Sequence, residues 1–397
     1  LDVRKYSEAA EAISSARSNV ADSEVTLVMA GFEERLRRLV LGSQRVEHPR
    51  AIETQFVGRS KEYSLLSRKW RRVRAGGWEA CLILGLPGIG KTRLSAELAE
   101  RVEAEGGVVV SAKAFAAERS LRWGVLTELV RALHRLPGAA AISGRSASVL
   151  ARLIPSLAGP GVQVEGPSVG VDLEPVSVTD ALLDLVCAVA EEQPTLLIFD
   201  DLQWADRRSR AALSHLARTA PPGQVLLLCT CRTGDRDPEI TKMVESLGRA
   251  PRMNSIELDP LSKVEIAEML GLFLRPQTPE ELQRLSDRFF DLTGGNPLFV
   301  VEVLKLLHSD GLLWADAEGR WRMDEAWVEV DLPVPRTLEL AIQKQLDDLS
   351  PSGKALVWHL ANRGRPLSSP VLGRLPGIHP DDVSTAVREV FLRSLVR

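Results

Sequence analysis

The eight residues from Gly85 to Thr92 have the types and spacing of a loop that holds phosphate. They are Gly-Leu-Pro-Gly-Ile-Gly-Lys-Thr, which fits the pattern G-x-x-x-x-G-K-[ST]. An apolar run ends at Leu84, and a helical pattern follows from Thr92 to Glu103. Between a strand and a helix, such a loop surrounds phosphate oxygens with backbone N–H groups and the positive end of the helix dipole. We therefore expect a nucleoside triphosphate, ATP or ADP with Mg²⁺, to bind here.

Individual residues of this loop have distinct expected tasks. The Lys91 ammonium should contact the β- and γ-phosphates, and the Thr92 hydroxyl should ligate Mg²⁺. The alternative is a Gly-rich turn without function, which the complete pattern between a strand and a helix disfavours. The remaining residues expected around the nucleotide are Gly85, Pro87, Gly88, Ile89, Gly90 and Arg93.

A pair of carboxylates supplies the second half of a hydrolytic site. The apolar run Leu196–Phe199 ends in Asp200 and Asp201. Asp200 should lie beside the metal, and Asp201 should polarise or deprotonate the attacking water. Taken alone, the segment would be interpreted as a strand ending in an exposed acidic turn. Together with the phosphate loop it predicts the catalytic end of the site.

Arginines at two places invite both a functional and a structural interpretation. Arg232 follows the apolar run 225–230 and could contact the γ-phosphate, because a guanidinium matches phosphate oxygens bidentately; it could also cap the next turn at the surface. Arg207 and Arg208 could serve a neighbouring subunit as an arginine finger, or be solvated at a helix start. Trp204 is expected to pack at the sheet edge rather than to act in catalysis.

Short apolar runs must position these residues. Continuous apolar strands separated by helical patterns predict a parallel sheet covered on both faces, so the expected fold class is α/β with a five-stranded parallel sheet. Residues 158–176, rich in Gly, Pro, Val and Ser, predict a surface loop. The expected strands are Ala80–Leu84, Val108–Ala112, Thr195–Phe199, Val225–Thr230 and Ser255–Leu258.

Helical patterns dominate after about residue 260, with one hairpin expected at Gly311–Met323. Three closely spaced helices near the end fit a helix-turn-helix or winged-helix core. The expected helices are Ser262–Leu272, Pro279–Leu292, Pro297–His308, Leu338–Leu349, Gly353–Asn362 and Asp381–Arg393. The expected domains are an N-terminal helical segment of unknown role (1–50), a phosphate-loop domain (51–259), a helical lid (260–310), a hairpin linker (311–334) and a C-terminally incomplete winged helix (335–397).

Composition excludes several classes of function. The 397 residues carry a net charge of −3, so there is no global attraction to nucleic acid. An apolar run of about 18 residues and a signal peptide are both absent from the sequence, which predicts a cytoplasmic protein without a membrane partner. The four cysteines lie in apolar stretches and are expected to be reduced core residues. Because the chain starts without Met and stops inside an apparent element, we expect it to belong to a longer protein.

Five motifs in series resemble the STAND class of signal-transduction P-loop ATPases within the AAA+ superfamily. The most similar module in that class is the ATPase module of large LuxR-type ATP-binding transcriptional regulators and bacterial adenylate-cyclase-linked regulators. The resemblance covers roughly residues 55–397. The motifs are Phe56-Val57-Gly58-Arg59, the P-loop, Asp200-Asp201-Leu202-Gln203-Trp204-Ala205-Asp206, Arg232 and Gly294-Gly295-Asn296-Pro297-Leu298-Phe299.

The resemblance implies roles for residues outside the P-loop. Val57, Gly58 and Arg59 would line the adenine pocket, Arg232 would act as sensor one, and Pro297 would pack against adenine from the lid. From the residues alone, Gly294-Gly295-Asn296 is a turn and N-cap before a helix that begins with proline. The class often uses a winged-helix histidine to contact phosphate. His359 and His379 are candidates for that contact, and a buried or merely solvated histidine is the alternative for each.

The expected function is a regulatory switch in which ATP or ADP occupancy, with slow hydrolysis, controls conformation and homo-oligomerisation. DNA would be contacted by a domain outside these residues. The alternative is an AAA+ protein that binds DNA through residues 335–397. Its basic residues are diluted by acidic ones, which weakens that alternative. A fast motor would need pore-loop or helicase motifs, which this sequence lacks.

Overall fold

The computed structural model describes residues 56–392, apart from 120, 158–174, 220–222, 234–237, 251, 275–277, 316–320, 324–331, 348, 364–371 and 373–374. The expected N-terminal segment 1–50 and most of the expected loop 158–176 lie outside the described residues. The chain divides into two compact units. The first contains the described residues of Gln55–Met269 together with Asn296–Leu298, and the second contains Leu270–Gly295 and the residues from Phe299 onward.

A single parallel sheet organises the first unit. Its order is β2-β3-β4-β1-β5, and every neighbouring pair is parallel. The five-stranded parallel sheet is therefore confirmed. Each strand extends one to three residues beyond its predicted bounds, because pairing continues into the polar residues at the strand ends. The strands are β1 (Trp78–Gly85), β2 (Val108–Lys113), β3 (Thr195–Asp200), β4 (Val225–Arg232) and β5 (Met253–Leu258).

Both faces of the three central strands, β3, β4 and β1, are buried, which explains their continuous apolar runs. Along β1, Ala80 and Leu82 belong to one hydrophobic cluster, whereas Cys81 and Ile83 belong to another on the opposite face. Side chains of a strand alternate between faces, so a strand covered on both sides must be apolar at every position. The helices of the first unit are α1 (Ser60–Arg74), α2 (Lys91–Ala104), α3 (Gly124–Leu133), α4 (Gly144–Leu153), α5 (Pro175–Glu192), α6 (Arg207–Thr219) and α7 (Pro238–Gly248), and α8 (Lys263–Phe273) begins in it.

Several helix starts differ from the predicted ones by one or two residues, and two of these differences have a clear local cause. Helix α5 begins at Pro175, so the last residues of the expected loop 158–176 are helical; proline is favoured at the first helical position because it has no N–H to satisfy. Helix α2 begins at Lys91 rather than Thr92, since Gly90 adopts the left-handed conformation immediately before it. Among the described residues, no helix is long and apolar enough to cross a bilayer.

The second unit is mainly helical. The expected hairpin is present as an antiparallel pair, and its tip lies outside the described residues. The three expected C-terminal helices share an apolar core that includes Leu356, Ile378 and Val390; the winged-helix assignment stays a prediction. The elements are α9 (Pro279–Thr293), α10 (Pro297–Ser309), β6 (Leu313–Ala315), β7 (Trp321–Met323), α11 (Arg336–Asp347), α12 (Pro351–Arg363) and α13 (Val383–Leu392).

Candidate functional site

The expected phosphate loop joins the end of β1 to the start of α2. Gly88 and Gly90 have φ values of 76° and 102°, a region that L side chains rarely adopt. A Cβ on Gly88 would lie 2.7 Å from Leu298 Cβ and 2.9 Å from Asn296 Oδ1, so the loop also needs glycine there for space. The loop can therefore wrap closely around a ligand at the N-terminus of a helix, where anions are favoured.

Lys91 lies folded over this loop. Its Nζ donates hydrogen bonds to the carbonyl oxygens of Gly85 and Leu86, each at 2.9 Å. The side chain is 6% exposed, and burial lowers the pKa of Lys91, while the nearby Asp201 carboxylate opposes that shift. The ammonium is thus held at the mouth of the loop, where phosphate oxygens could replace the two carbonyl acceptors.

Thr92 and Asp200 face each other across the end of the sheet. The Thr92 hydroxyl donates to Asp200 Oδ2 at 2.9 Å, and the Thr230 hydroxyl donates to Asp200 Oδ1 at 2.6 Å. Hydroxyl and carboxylate oxygens are hard donors of the kind that Mg²⁺ prefers, and Mg²⁺ usually takes only one or two protein ligands beside phosphates and water. Thr92 and Asp200 therefore fit the metal expected with a nucleotide.

Asp201 is restrained by three other side chains. Gln203 Nε2 donates to Asp201 Oδ1 at 2.7 Å, Arg232 Nε lies 3.8 Å from the same oxygen, and Lys113 Nζ lies 3.8 Å from Asp201 Oδ2. The Asp201 backbone N–H also donates to the Thr230 hydroxyl at 2.9 Å. Asp201 has a φ of 61°, which aspartate tolerates better than most residues. The carboxylate is therefore fixed in one orientation and opposed by two cations.

Arg232 lies at this site and not merely in a surface turn. It ends β4 beside Gly85 of β1, and its backbone N–H donates to Gln203 Oε1 at 3.1 Å. Its guanidinium also lies 5.5 Å from the centroid of the Trp204 ring, which places that tryptophan at the sheet edge as expected. Whether Arg232 reads a phosphate stays a prediction.

Lys113, Gln203 and Thr230 are site residues that the sequence interpretation missed. Lys113 ends β2 directly opposite Asp200 in the sheet register, and its Nζ lies 3.7 Å from Asp200 Oδ2. Gln203 stands inside the acidic motif, where its spacing from Asp201 was a usable signal. Lys113 and Thr230 carry no such signal, because only the pairing of β2 and β4 with β3 brings them to the carboxylates.

The expected adenine-pocket residues divide into two groups. Arg59 is buried and donates from Nη2 to the Ile89 carbonyl of the P-loop at 3.2 Å; burial lowers the pKa of its guanidinium. Gly58 instead packs against the Glu265 side chain, and Val57 is half-buried. Pro297 begins α10 between Asn296 and Leu298, which both contact the P-loop backbone. Contact of Val57, Gly58, Arg59 or Pro297 with adenine stays a prediction.

Other candidates lie elsewhere. Arg93 Nη2 lies 3.5 Å from Glu97 Oε2 on the exposed side of α2, so its contact with nucleotide stays a prediction. In the second unit, His359 Nε2 lies 2.9 Å from the Pro376 carbonyl oxygen, and His379 lies 3.5 Å from Asp381. Arg207 and Arg208 begin α6, and the Arg208 guanidinium lies 5.9 Å from the centroid of the Trp123 ring.

Comparisons with known proteins show what the chain is similar to. Residues 55–228 match a family described as an AAA ATPase domain. An uncharacterised protein of Rhizobium meliloti (strain 1021) is 26% identical over 270 residues, or 62% of this chain and 24% of that protein. The chain thus spans about a quarter of that relative's length.

Solved structures are similar in fold. The ORC2 protein of Aeropyrum pernix, in ADPNP–ADP complexes, has a TM-score of 0.53 at 16% identity, covering 88% of this chain and 89% of that one. A STAND protein with a tetratricopeptide repeat sensor from Pyrococcus horikoshii is 15% identical over 87% of this chain and 43% of that one, with a TM-score of 0.37, which is too low to carry an argument. The first likeness supports the α/β P-loop fold and nothing finer. Residues 55–228 are therefore similar to an AAA ATPase domain, and the parallel sheet with its phosphate loop has the α/β P-loop NTPase fold.

Proposed function

We propose that this chain is the nucleotide-dependent switch of a larger cytoplasmic transcriptional regulator. In this proposal it binds ATP or ADP with Mg²⁺ at Gly85–Thr92, hydrolyses ATP slowly, and changes conformation and self-association with the bound nucleotide. The regulator's identity rests on the motif resemblance to LuxR-type ATP-binding proteins. Contact with DNA is then made by a part of the longer protein outside these residues.

The observation that carries the proposal is the restrained Asp201 carboxylate. A general base must accept a proton from water that it holds at hydrogen-bond distance. Here one Asp201 oxygen accepts from Gln203, and both oxygens face a cation within 3.8 Å. One carboxylate oxygen is thus already occupied by the Gln203 amide, which leaves less room to hold an attacking water, so slow hydrolysis is expected. Slow hydrolysis suits a switch, because the bound nucleotide must persist long enough to report a state.

The protein residues would divide the work as follows. Lys91 would bind the β- and γ-phosphates, and Asp201 would orient the attacking water and accept its proton. Thr92 and Asp200 would hold Mg²⁺, which supplies charge neutralisation for the phosphates when bound. Arg232 shares its Asp201 partner with Gln203, so a γ-phosphate that attracts Arg232 would also loosen its hold on Asp201. Phosphate recognition and base activation would thereby be linked.

Replacing the loop lysine tests the proposed binding site. We expect the wild-type chain to bind ATP and ADP in a calorimetric titration with Mg²⁺. Charge-assisted hydrogen bonds contribute about 1.5–3 kcal/mol each, so Lys91→Ala should weaken ATP binding by at least about tenfold to a hundredfold. The matched control is Lys242→Ala, which removes an exposed lysine of α7. Wild-type affinity in the Lys91→Ala variant would contradict the assignment of the site.

A further inference from the structure

Three successive carbonyl groups of the P-loop are held by donors that lie outside the loop. The Pro87 oxygen accepts from Asn296 Nδ2 at 2.9 Å, and the Gly88 oxygen accepts from the Leu298 backbone N–H at 3.3 Å. The Ile89 oxygen accepts from Arg59 Nη2 at 3.2 Å. The sequence interpretation assigned Asn296 only to a turn and helix cap, so its contact with the loop is new.

Holding a carbonyl also fixes the N–H group that follows it. A trans peptide is planar, and its C=O and N–H point in opposite directions. A carbonyl of Pro87 held toward Asn296 therefore directs the Gly88 N–H to the other side of the loop, and the Ile89 carbonyl held by Arg59 does the same for the Gly90 N–H. Backbone N–H groups on that other side are the donors that a phosphate requires.

The Asn296 amide is occupied at both ends. Its Oδ1 accepts from the Leu298 backbone N–H at 3.1 Å, as a cap of α10, while its Nδ2 holds Pro87. The side chain is 8% exposed, so water competes little for either bond. The two bonds also fix which end of the amide is oxygen and which is nitrogen. Gly88 lets this contact form, since a Cβ there would lie 2.9 Å from Asn296 Oδ1.

The tripeptide Asn296–Leu298 is set apart from its neighbours in sequence. It groups with the nucleotide-binding unit, whereas Leu270–Gly295 before it and the residues from Phe299 onward group with the other unit. The Asn296 contact is therefore made at the covalent junction between the P-loop unit and the chain that continues as α10.

We propose that Asn296 is a positioning residue for phosphate binding, which presets the P-loop through the Pro87 carbonyl and ties the start of α10 to the state of the loop. The inference rests on the proposed function, because it concerns the same nucleotide. Asn296 does not touch the reacting atoms in this account. It sets the orientation of the backbone that does.

Two substitutions separate this role from simple helix capping. Asn296→Asp keeps an acceptor for the Leu298 N–H, and aspartate is as good an N-cap as asparagine. It replaces the donor with a carboxylate oxygen that faces the Pro87 carbonyl oxygen. Asn296→Ala removes both the cap and the donor without adding a charge. A capping role alone predicts that the aspartate variant behaves as wild type, whereas the positioning role predicts that both variants lose affinity.

The nucleotide affinities of these variants and of the wild-type chain can be measured by calorimetric titration. The ligands are ADP and a slowly hydrolysed ATP analogue, each with Mg²⁺. We expect Asn296→Ala to weaken binding of both nucleotides by about 3- to 12-fold, the value of one hydrogen bond, and Asn296→Asp by at least as much. The control is Asn254→Ala, which removes an exposed asparagine of β5 and should leave both affinities unchanged. The melting temperature of the nucleotide-free aspartate variant should fall, because a largely buried carboxylate then faces a carbonyl oxygen, and its rise on adding ADP should shrink as well.

The possible outcomes distinguish the inference from the function on which it rests. Wild-type affinity in the aspartate variant overturns the positioning role and leaves the nucleotide site standing. A wild-type chain that binds neither nucleotide overturns the proposed function, and the inference with it. If the alanine variant does not fold, the aspartate variant alone decides, because it retains the helix cap.

Discussion

In the proposed function, Asp201 is the residue that links nucleotide binding to hydrolysis. Its carboxylate contacts Gln203, Arg232 and Lys113, which come from the acidic motif, β4 and β2 respectively. A carboxylate held in this way has one oxygen occupied by an amide donor and is less free to turn toward a water. The same contacts that slow hydrolysis would therefore make its rate sensitive to any ligand that attracts Arg232 or Lys113.

Asp201→Asn should separate binding from hydrolysis. The carboxamide keeps the shape of the side chain and can still pair with Gln203, but it cannot accept the proton of the attacking water. Since general-base catalysis contributes about 10²- to 10⁴-fold, hydrolysis should fall by that factor while ATP affinity stays near wild type. Steady-state phosphate release and calorimetry measure the two quantities. A variant that hydrolyses ATP at the wild-type rate would show that Asp201 is not the base.

Lys113→Ala should speed ATP hydrolysis, which is the opposite of the effect expected for Asp201→Asn. Its Nζ lies 3.7 Å from Asp200 and 3.8 Å from Asp201, and its removal frees both carboxylates. Because Lys113 is 44% exposed, solvent screening limits such contacts to about 0.3–1 kcal/mol, so hydrolysis should rise by about two- to fivefold. Lys61→Ala, at an exposed position of α1, is the control. A slower Lys113→Ala variant would mean that this lysine binds phosphate instead.

At the scale of elements, the path from β1 through the P-loop to α2 depends on glycine geometry. Gly88 and Gly106 have nearly the same φ, 76° and 79°, but their surroundings differ. A Cβ on Gly88 would meet Leu298 and Asn296, whereas a Cβ on Gly106 would meet nothing within 4 Å. Alanine substitutions at the two positions can therefore be compared to separate two costs. One is the backbone strain of a left-handed residue, and the other is the crowding of its side chain.

Gly88→Ala should reduce both the unfolding free energy and the ADP affinity more than Gly106→Ala does. Both variants should lose about 1–2 kcal/mol of unfolding free energy, because L residues disfavour this conformation. Gly88→Ala should lose more, and it alone should weaken ADP binding, since the added methyl group pushes Asn296 and Leu298 away from the loop. Chemical denaturation and calorimetry test this prediction. Equal losses in both variants and an unchanged ADP affinity would show that the loop tolerates displacement of the tripeptide.

The elements themselves could be predicted well from the sequence, for a physical reason. A strand buried on both faces must be apolar throughout, so continuous apolar runs in the sequence predicted β1, β3 and β4. The spacing of its glycines, lysine and threonine predicted the P-loop. What could not be predicted was which polar residues meet at the sheet edge. Lys113 reaches Asp200 only because β2 pairs with β3 in one register. Asn296 reaches Pro87 across 209 positions of sequence, and no local pattern encodes that contact.

For the whole molecule to switch, the nucleotide must bind one conformation with a sufficiently more favourable free energy than the other. Moving a two-state equilibrium from 1:99 to 99:1 requires about 5.5 kcal/mol of differential affinity. Charge-assisted hydrogen bonds contribute about 1.5–3 kcal/mol each, so two or three that form only with the γ-phosphate suffice. In the proposed function, Lys91 and Arg232 are the cations that would make these contacts. Arg232→Ala should therefore bind ATP yet fail to associate.

Light scattering of the wild-type chain with Mg²⁺ and either ADP or a slowly hydrolysed ATP analogue tests the switch most directly. We expect the mass of a monomer with ADP and a larger mass with the analogue. The Arg232→Ala variant should stay monomeric with both nucleotides at concentrations that saturate binding. The same mass for the wild-type chain with ADP and with the analogue would contradict the switch for these residues.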